Sequence, residues 1–374
     1  MAETFRVLAY DLNTNTLLTE IPANSLAFSR RLGDAGSISF SVALQSPTVR
    51  AIMSSVLAYD GVPVAVYVDR NGVLVWGGVV WTTLYDKASG TLSYGGKEFL
   101  SYFDQRVLAK DYSTGTVDPA ALLAAVIVDA QNVALAGPGA SIGVAMSGGA
   151  SSLTTITQGY PLAQHSMVTH VVSDMLQILQ PGVGGLDLTQ AVAYDVNGNP
   201  TRTFTVSSPR AGRAAGNTGL IFDLDSCINY TWPTDASQTG NTVIATGAGN
   251  GASTPTATVA APGIPVGLLG QSPKLEKVIS FQSLQSQAQV SLAANGAAQQ
   301  YGQPIRTPTV EVPTNSGQPY GSWIPGDDAR LYTVGNERFP NGKSEFWRIV
   351  SDDTKVPDEG LSTTVIIFNP PPVY

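Results

Sequence analysis

The stretch VYVDRNGVLVWGGV, residues 66–79, consists of two apolar strand patterns joined by Asn71-Gly72. An Asn-Gly pair between two such runs is the strongest short-range signal for a β-hairpin. The same order returns near the other end of the chain, with LYTV at 331–334, the Asn341-Gly342 pair, and EFWRIV at 345–350. In both copies a valine lies three residues after the tryptophan. We therefore predict two similar β-units in one chain, produced by internal duplication.

Composition indicates a subunit of a larger assembly. Of the 374 residues, 13% are charged, about half the usual share of about 25%, and a surface poor in charge is often covered by another chain. The single cysteine, Cys227, excludes an internal disulfide framework. The net charge of -8 argues against specific nucleic-acid binding, because phosphate contacts need clustered Lys and Arg.

The N-terminal sequence carries no signal-peptide pattern, and no segment is predicted to span a membrane. The sequence after Met1 enters a strand pattern at once, without the basic and apolar regions of a signal peptide. The most apolar window, residues 120–128, is shorter than the about 20 residues of a membrane helix. We therefore expect no membrane span.

We predict a mainly β fold with α+β insertions, in which two similar tube-type β-barrel domains carry decorating elements. Residues 1–108 form the first tube-type domain, completed by strands from 220–248. Residues 109–219 form an inserted α+β domain. Residues 220–374 form the second tube-type domain, which includes a helix at 287–301.

Capping residues and spacing predict three helices. The first begins at Pro119 with Asp118 as its N-cap, the second runs over 168–179, and the third follows a capping box formed by Ser286 and Gln289. The small residues of 137–153 favour a surface loop. The polar run 352–360 favours a turn between the last two strands.

Catalytic patterns are weak. Residues 139–143 match the G-x-S-x-G string of serine hydrolases around Ser141, but neither a strand before it nor a helix after it is predicted. The histidines, His165 and His170, are spaced as neither a helical metal pair nor a triad. The acidic pairs Asp327-Asp328 and Asp352-Asp353 suggest a glycosidase, although adjacent strand residues point to opposite faces. We interpret each pair as a solvated strand entrance.

The chain resembles the tail-tip hub, or minor tail protein, family of tailed bacteriophages, which includes baseplate-hub-like proteins. The resemblance lies in an ordered series of segments that covers about half of the chain: YDL at 10–12, FSRRL at 28–32, VWGGV at 75–79, SYFDQR at 101–106, the helix at 287–301, and IPGDDARL at 324–331. It implies two tube-like domains per chain and assembly as a trimeric ring. Because the chain stops at Tyr374, soon after the second β-unit, the lytic domain of some members is expected to be absent.

The resemblance implies a structural virion protein, made in the host cytoplasm and located at the tail tip. Its expected partners are two further copies of itself, a distal tail protein or tail tube ring, the tape-measure protein and other tail-tip proteins. No catalytic, cofactor-binding or metal-binding residue is expected, and no cofactor. The residues predicted to lie in the tube domains or their interfaces are Trp76, Gly77, Gly78, Trp81, Asp327, Asp328 and Trp347.

Two other functions remain open at this stage. One is a carbohydrate-binding receptor adhesin at the tail tip, which would use exposed tryptophans such as Trp76, Trp81, Trp323 and Trp347. The other is a glycoside hydrolase.

For the hub, we expect the units around Trp76 and Trp347 to alternate around the ring, so that three copies adapt a six-fold tube to a three-fold tip. The channel is expected to have a neutral to acidic lining.

Overall fold

A computed structural model describes residues 3–52, 64–148, 156–178, 185–261, 273–281 and 284–370. Strands dominate it, and helices are few. The prediction of a mainly β fold with α+β insertions is confirmed. Among the described residues, no helix is long and apolar enough to cross a membrane.

The part of the chain up to Ser207 contains twelve of the described strands. They are β1 (Phe5–Asp11), β2 (Leu17–Ile21), β3 (Asn24–Arg31), β4 (Ser37–Ala43), β5 (Val64–Arg70), β6 (Val73–Asp86), β7 (Thr91–Glu98), β8 (Tyr112–Val117), β9 (Val144–Ser147), β10 (Ile156–Tyr160), β11 (Asp187–Tyr194) and β12 (Pro200–Ser207).

The remaining described strands and the α-helices follow the same chain order. The strands are β13 (Ile221–Asp223), β14 (Asn229–Thr231), β15 (Thr234–Asp235), β16 (Thr242–Thr246), β17 (Thr256–Ala260), β18 (Glu276–Ser280), β19 (Ile305–Arg306), β20 (Thr309–Pro313), β21 (Asp328–Thr333), β22 (Lys343–Val356) and β23 (Thr363–Asn369). The helices are α1 (Pro47–Ile52), α2 (Pro119–Gln131), α3 (Val133–Ala136), α4 (Val168–Ile178) and α5 (Gln287–Tyr301).

One large sheet contains both predicted β-units. Its strand order is β14-β20-β23-β22-β3-β4-β7-β6-β5-β1-β2, and β21 pairs with β22 and β13. The run β3-β4-β7-β6-β5 in the first unit corresponds to β14-β20-β23-β22-β21 in the second, with antiparallel pairing at every step. The described strands therefore trace an open path in which the same arrangement occurs twice.

The two long strands, β6 and β22, have 14 residues each and carry a bulge at comparable places. The bulge follows Val80 in β6 and Ile349 in β22. The bulged residue, Trp81 in β6 and Val350 in β22, lies five residues after Trp76 but three after Trp347, so these tryptophans are not equivalent. The sequence match through the tryptophans is wrong by two residues, because spacing from a tryptophan cannot show where a bulge inserts its extra residue.

The glycine pairs lie where β6 and β7 approach most closely. A Cβ atom on Gly78 would lie 2.2 Å from the backbone oxygen of Lys97, and one on Gly96 would lie 2.6 Å from that of Val79. No side chain fits at those distances. The glycines therefore permit the close strand approach beside the bulge.

The predicted helices are present with their predicted caps. The Asp118 carboxylate accepts a hydrogen bond from the Ala120 N–H at 2.9 Å and caps α2. Ser286 and Gln289 form the capping box at the start of α5. Helix α4 ends at Ile178 in the structure, and residue 179 of its prediction lies outside the described part.

Three expectations about the connecting segments are wrong. The strands of 220–248 do not complete the first unit: β13 and β14 pair within the second unit, and β16 pairs with β17 and β18. Within the predicted loop at 137–153, residues 144–147 form β9 beside β12. The predicted turn at 352–360 begins late, because β22 continues to residue 356. Each of these segments pairs with a distant strand, which local composition does not reveal.

Candidate assembly site

The two units meet where β22 pairs with β3. The register runs from Ser351 opposite Arg31 to Val356 opposite Leu26. The Trp76 indole N–H donates to the backbone oxygen of Ser29 at 2.9 Å, so the core of the first unit is tied to this seam. The backbone ladder makes the two units one continuous sheet.

A buried ion pair crosses the same seam. Arg30 Nη2 lies 2.6 Å from Asp352 Oδ2, and the Asp352 side chain is fully buried. The Trp323 indole N–H also donates to Asp352 at 3.3 Å. The guanidinium of Arg30 lies over the Tyr320 ring, 4.6 Å from its centroid. The Asp352 charge is therefore compensated from several sides, as burial of a carboxylate requires.

Glu98 is buried beside this seam. It accepts a hydrogen bond from the Gly36 N–H at 2.6 Å. Burial raises the pKa of Glu98 to about 8, although the Gly36 hydrogen bond and the Arg30 charge act to lower it. Burial therefore favours the protonated, uncharged form of this carboxyl.

A second cluster of ion pairs joins the inserted segment to the second unit. Arg213 Nη2 lies 2.5 Å from Asp327 Oδ2, and Arg210 Nη2 lies 2.7 Å from Asp328 Oδ1. Both carboxylates are buried. The interpretation of Asp327-Asp328 as a solvated strand entrance is therefore wrong, and Asp352 contradicts it for the other pair. Each partner arginine is distant in the sequence, so adjacency alone could not identify it.

The third pair of this cluster links Arg348 on β22 with Asp187 on β11. Both side chains are almost completely buried. Arg348 also donates to the backbone oxygen of Ala211 at 3.1 Å, and the Ala211 N–H donates to Asp187 at 2.6 Å. These bonds fix the 210–213 segment against the start of β21.

The tube-domain candidates Trp76 and Trp347 and the platform candidate Trp323 pack inside the protein, whereas Trp81 is half-buried. Trp76, Trp323 and Trp347 are buried, and Trp347 packs edge-on against Trp232 at 5.2 Å between ring centroids. Trp81 occupies the bulge of β6, is half-buried, and donates to Ser101 Oγ at 2.8 Å. A sugar-binding platform needs an exposed ring face, which the three buried rings do not offer. Gly77 and Gly78 are also buried.

The candidate catalytic residues do not form a recognisable site. Ser141 Oγ accepts a hydrogen bond from the Gly143 N–H at 3.2 Å, and the chain after it enters strand β9 rather than a helix. His170 is exposed and lies 3.7 Å from Asp174 on the same helix. In the described ranges, no group of three or more His, Cys, Asp or Glu side chains could hold a metal ion.

One face of β4 and the adjoining part of β7 carries mostly small hydroxyl side chains, with the exposed Lys97 opposite Ser37 on the same face. On β4, Ile38, Phe40 and Val42 are buried, whereas Ser37 and Ser39 on the opposite face are exposed. The alternating sequence SISFSVA produces this division directly, because successive strand residues point to opposite faces. Ser93 on β7 extends the hydroxyl face. We call this surface, with Ser37, Ser39, Ser41, Ser93 and Thr91, the hydroxyl face.

The last part of β6 extends past the end of its partner β5. Residues Trp81–Asp86, which we call the β6 arm, pair with β7 on one edge. Among the described residues, no strand pairs with the other edge of the arm beyond Val80. Leu84 is 68% exposed and Tyr85 is 57% exposed, on opposite faces of the arm. The apolar run after Asn71-Gly72 predicted the strand in the sequence, but nothing local showed that its continuation lacks a described partner.

No family model matches this chain, and neither does any curated protein. Solved structures of phage tail proteins share its fold. The chain is 13% identical to the 43 kDa tail protein of prophage MuSo2 from Shewanella oneidensis, with a TM-score of 0.61 and 98% of each chain covered. It is also 13% identical to a tail protein from Neisseria meningitidis MC58, with a TM-score of 0.60, covering 98% of this chain and 96% of that one. A prophage tail protein from Listeria monocytogenes EGD-e is 12% identical, with a TM-score of 0.52 and coverage of 96% and 94%.

Proposed function

We propose that this chain, which has the fold of phage tail proteins, is a structural subunit of the tail tip. Three copies form a ring that adapts the six-fold tail tube to a three-fold tip. The observation that carries the proposal is the β3–β22 seam, which places two units of the same strand order side by side in one sheet. A chain that already contains two neighbouring units can supply six units from three copies.

The size of such a ring follows from strand geometry. Each chain contributes the eight strands from β14 to β6. About 24 strands, spaced about 4.8 Å apart and tilted by about 40°, close a cylinder about 48 Å across between backbones. Barrels of about 16 to 18 strands already leave an aqueous channel, so this ring has room for a passing polymer.

The hydroxyl face is our candidate for the channel lining. The opposite face of the same strands contains the buried core, so it cannot line a channel. Serine and threonine hydroxyls carry no charge, and the charged residues on the same face are of both signs, with Lys97 opposite Ser37 and Asp86 opposite Thr91. The chain as a whole has a net charge of -8. Such a wall offers fewer phosphate contacts than a wall of clustered Lys and Arg, which would allow DNA to pass with weak binding. The tape-measure protein and an adjoining tube or distal tail ring are the proposed neighbours.

The mass and shape of the purified protein test this proposal. Light scattering after gel filtration is expected to give three times 39.0 kDa, and electron-microscope images are expected to show a ring with a central channel. A monomer at all concentrations, or a compact particle without a channel, would contradict the ring. Binding to purified host cell wall distinguishes the alternative receptor adhesin, because a hub alone is expected to show none.

A further inference from the structure

Strand β22 has two successive partners along one edge. Its first half pairs with β21 through Arg348, and its second half pairs with β3 from Ser351 onwards. Strand β6 is its counterpart in the first unit. The first half of β6 pairs with β5 through Val80, just as the first half of β22 pairs with β21. However, no described strand pairs with the β6 arm in the position that β3 occupies beside β22.

The counterpart of β3 in the second unit also has an open edge. Strands β14 and β15 lie in one segment, 229–235, whose described pairing is with β20 and β19 only. We call this segment the 229–235 edge. It lies at one end of the eight-strand run, and the β6 arm lies at the other. The two open edges therefore belong to opposite ends of the same sheet.

We infer that the β6 arm of one copy pairs antiparallel with the 229–235 edge of the next copy, repeating between chains the seam that β22 and β3 form within the chain. This inference rests on the proposed ring and specifies how the ring closes.

The intrachain pairs define the register. Thr82 and Ser351 each follow the bulge, and they lie opposite Gly95 and Ile367 respectively. When the paired residues are followed from strand to strand, Gly95 leads through Ser39 to Ala27 in the first unit. In the second unit, Ile367 leads through Thr309 to Thr231. The structure therefore matches Thr231 with Ala27.

From this match the residues that meet between copies can be read directly. Within the chain, Asp353 pairs with Ser29. In the arm, Leu84 corresponds to Asp353, because each lies two residues after its matched position, Thr82 or Ser351. On the facing strand, residue 233 corresponds to Ser29, because each lies two residues after its matched position, Thr231 or Ala27. Leu84 is therefore placed opposite Pro233 of the next copy.

Burial supports a second copy as the occupant. Tyr85 is 57% exposed, whereas Thr354 at the same position of β22 is 1% exposed beneath the β3 seam. In the proposed register Tyr85 lies opposite Trp232, which is half-buried against Trp347 and Phe339. Exposed apolar residues on an open edge are a hazard unless a partner covers them. Pro233 removes one donor from its edge, which limits pairing with unrelated strands.

Cysteine cross-linking tests the register in the full chain. The variant carries Leu84→Cys and Pro233→Cys, with Cys227→Ser to remove the native thiol. Both replaced side chains are exposed, and directly opposite strand residues lie within disulfide reach. The matched control carries Leu84→Cys with Thr231→Cys, since a diagonal neighbour at about 7–8 Å is too far for a ready disulfide. Diamide supplies the oxidant, and a non-reducing gel separates the products.

We expect covalent dimers and closed trimers from the first variant, reversed by a reducing agent, and a loss of these bands in the control. Gel filtration of each reduced variant is run alongside. If both variants form trimers but neither cross-links between chains, the register is wrong and the ring survives. If the reduced proteins are monomeric and no cross-link forms, the ring itself fails. Cross-linking confined to one chain, or equal bands from the control, overturns the inference. A lack of cross-links between chains is also the result expected if residues 53–63 of the same chain covered the arm.

Discussion

Replacing Asp187 by alanine is expected to destabilise the protein more than loss of any exposed ion pair. The carboxylate of Asp187 is the ionic partner of the buried Arg348 guanidinium and accepts the Ala211 N–H at 2.6 Å. Its removal leaves a buried cation without a counter-charge. Breaking a buried pair from one side costs about 3–5 kcal/mol, because the remaining charge keeps its desolvation penalty.

That cost can be converted to a melting temperature. Unfolding entropy is about 2.1 cal/mol/K per residue, so cooperative unfolding of 374 residues has an entropy of about 0.8 kcal/mol/K. The expected decrease in Tm is about 4–6 °C. Calorimetry of the wild-type protein and the variant at one protein concentration measures it, because assembly also shifts the apparent Tm.

The controls separate a buried charge from simple loss of an ion pair. Glu276 forms an exposed pair with Lys274 at 2.7 Å, so Glu276→Ala is expected to change the free energy of unfolding by less than about 1 kcal/mol. The double variant Asp187→Leu, Arg348→Met removes both charges and is expected to recover most of the stability lost by Asp187→Ala. If the double variant is as unstable as the sum of its single variants, the two side chains are not coupled and the reasoning is refuted.

Four further outcomes are expected. Because burial raises the pKa of Glu98 from 4.5 to about 8, the fold is most stable with respect to this group below pH 4.5, and stability declines as pH rises from 4.5 to about 8; Glu98→Gln should flatten the Tm–pH curve across that window, and an unchanged slope would contradict it. Ser286→Ala removes the α5 cap and should cost about 1 kcal/mol by urea unfolding, with an effect near zero counting against the capping box. Leu123→Ala in the core should cost about 2–5 kcal/mol, whereas Val128→Ala on the exposed face of α2 should cost well under 1. Purified protein should release no fragments from peptidoglycan, and turnover abolished by Ser141→Ala would overturn this expectation.

The sequence alone predicted the turns and helix starts that depend on contacts between residues close together in the chain. The Asn71-Gly72 turn, the Asp118 cap and the Ser286 capping box all act within four residues of their targets. Such contacts can be read from spacing alone, because a helix or hairpin satisfies its own backbone groups within one short segment. Asn341-Gly342 instead ends a nine-residue loop between Thr333 and Lys343, so it does not form the predicted two-residue hairpin turn.

Only the tertiary structure decided how the units join and which charges are buried. Asp352 and Arg30 are 322 residues apart, and a carboxylate that looks solvated in sequence is buried once that arginine reaches it. The bulges in β6 and β22, which show that Trp76 and Trp347 are not equivalent, are likewise invisible in the spacing of side chains. Strand pairing links distant segments through backbone groups that every residue carries, so sequence can predict a strand without identifying the strand beside it.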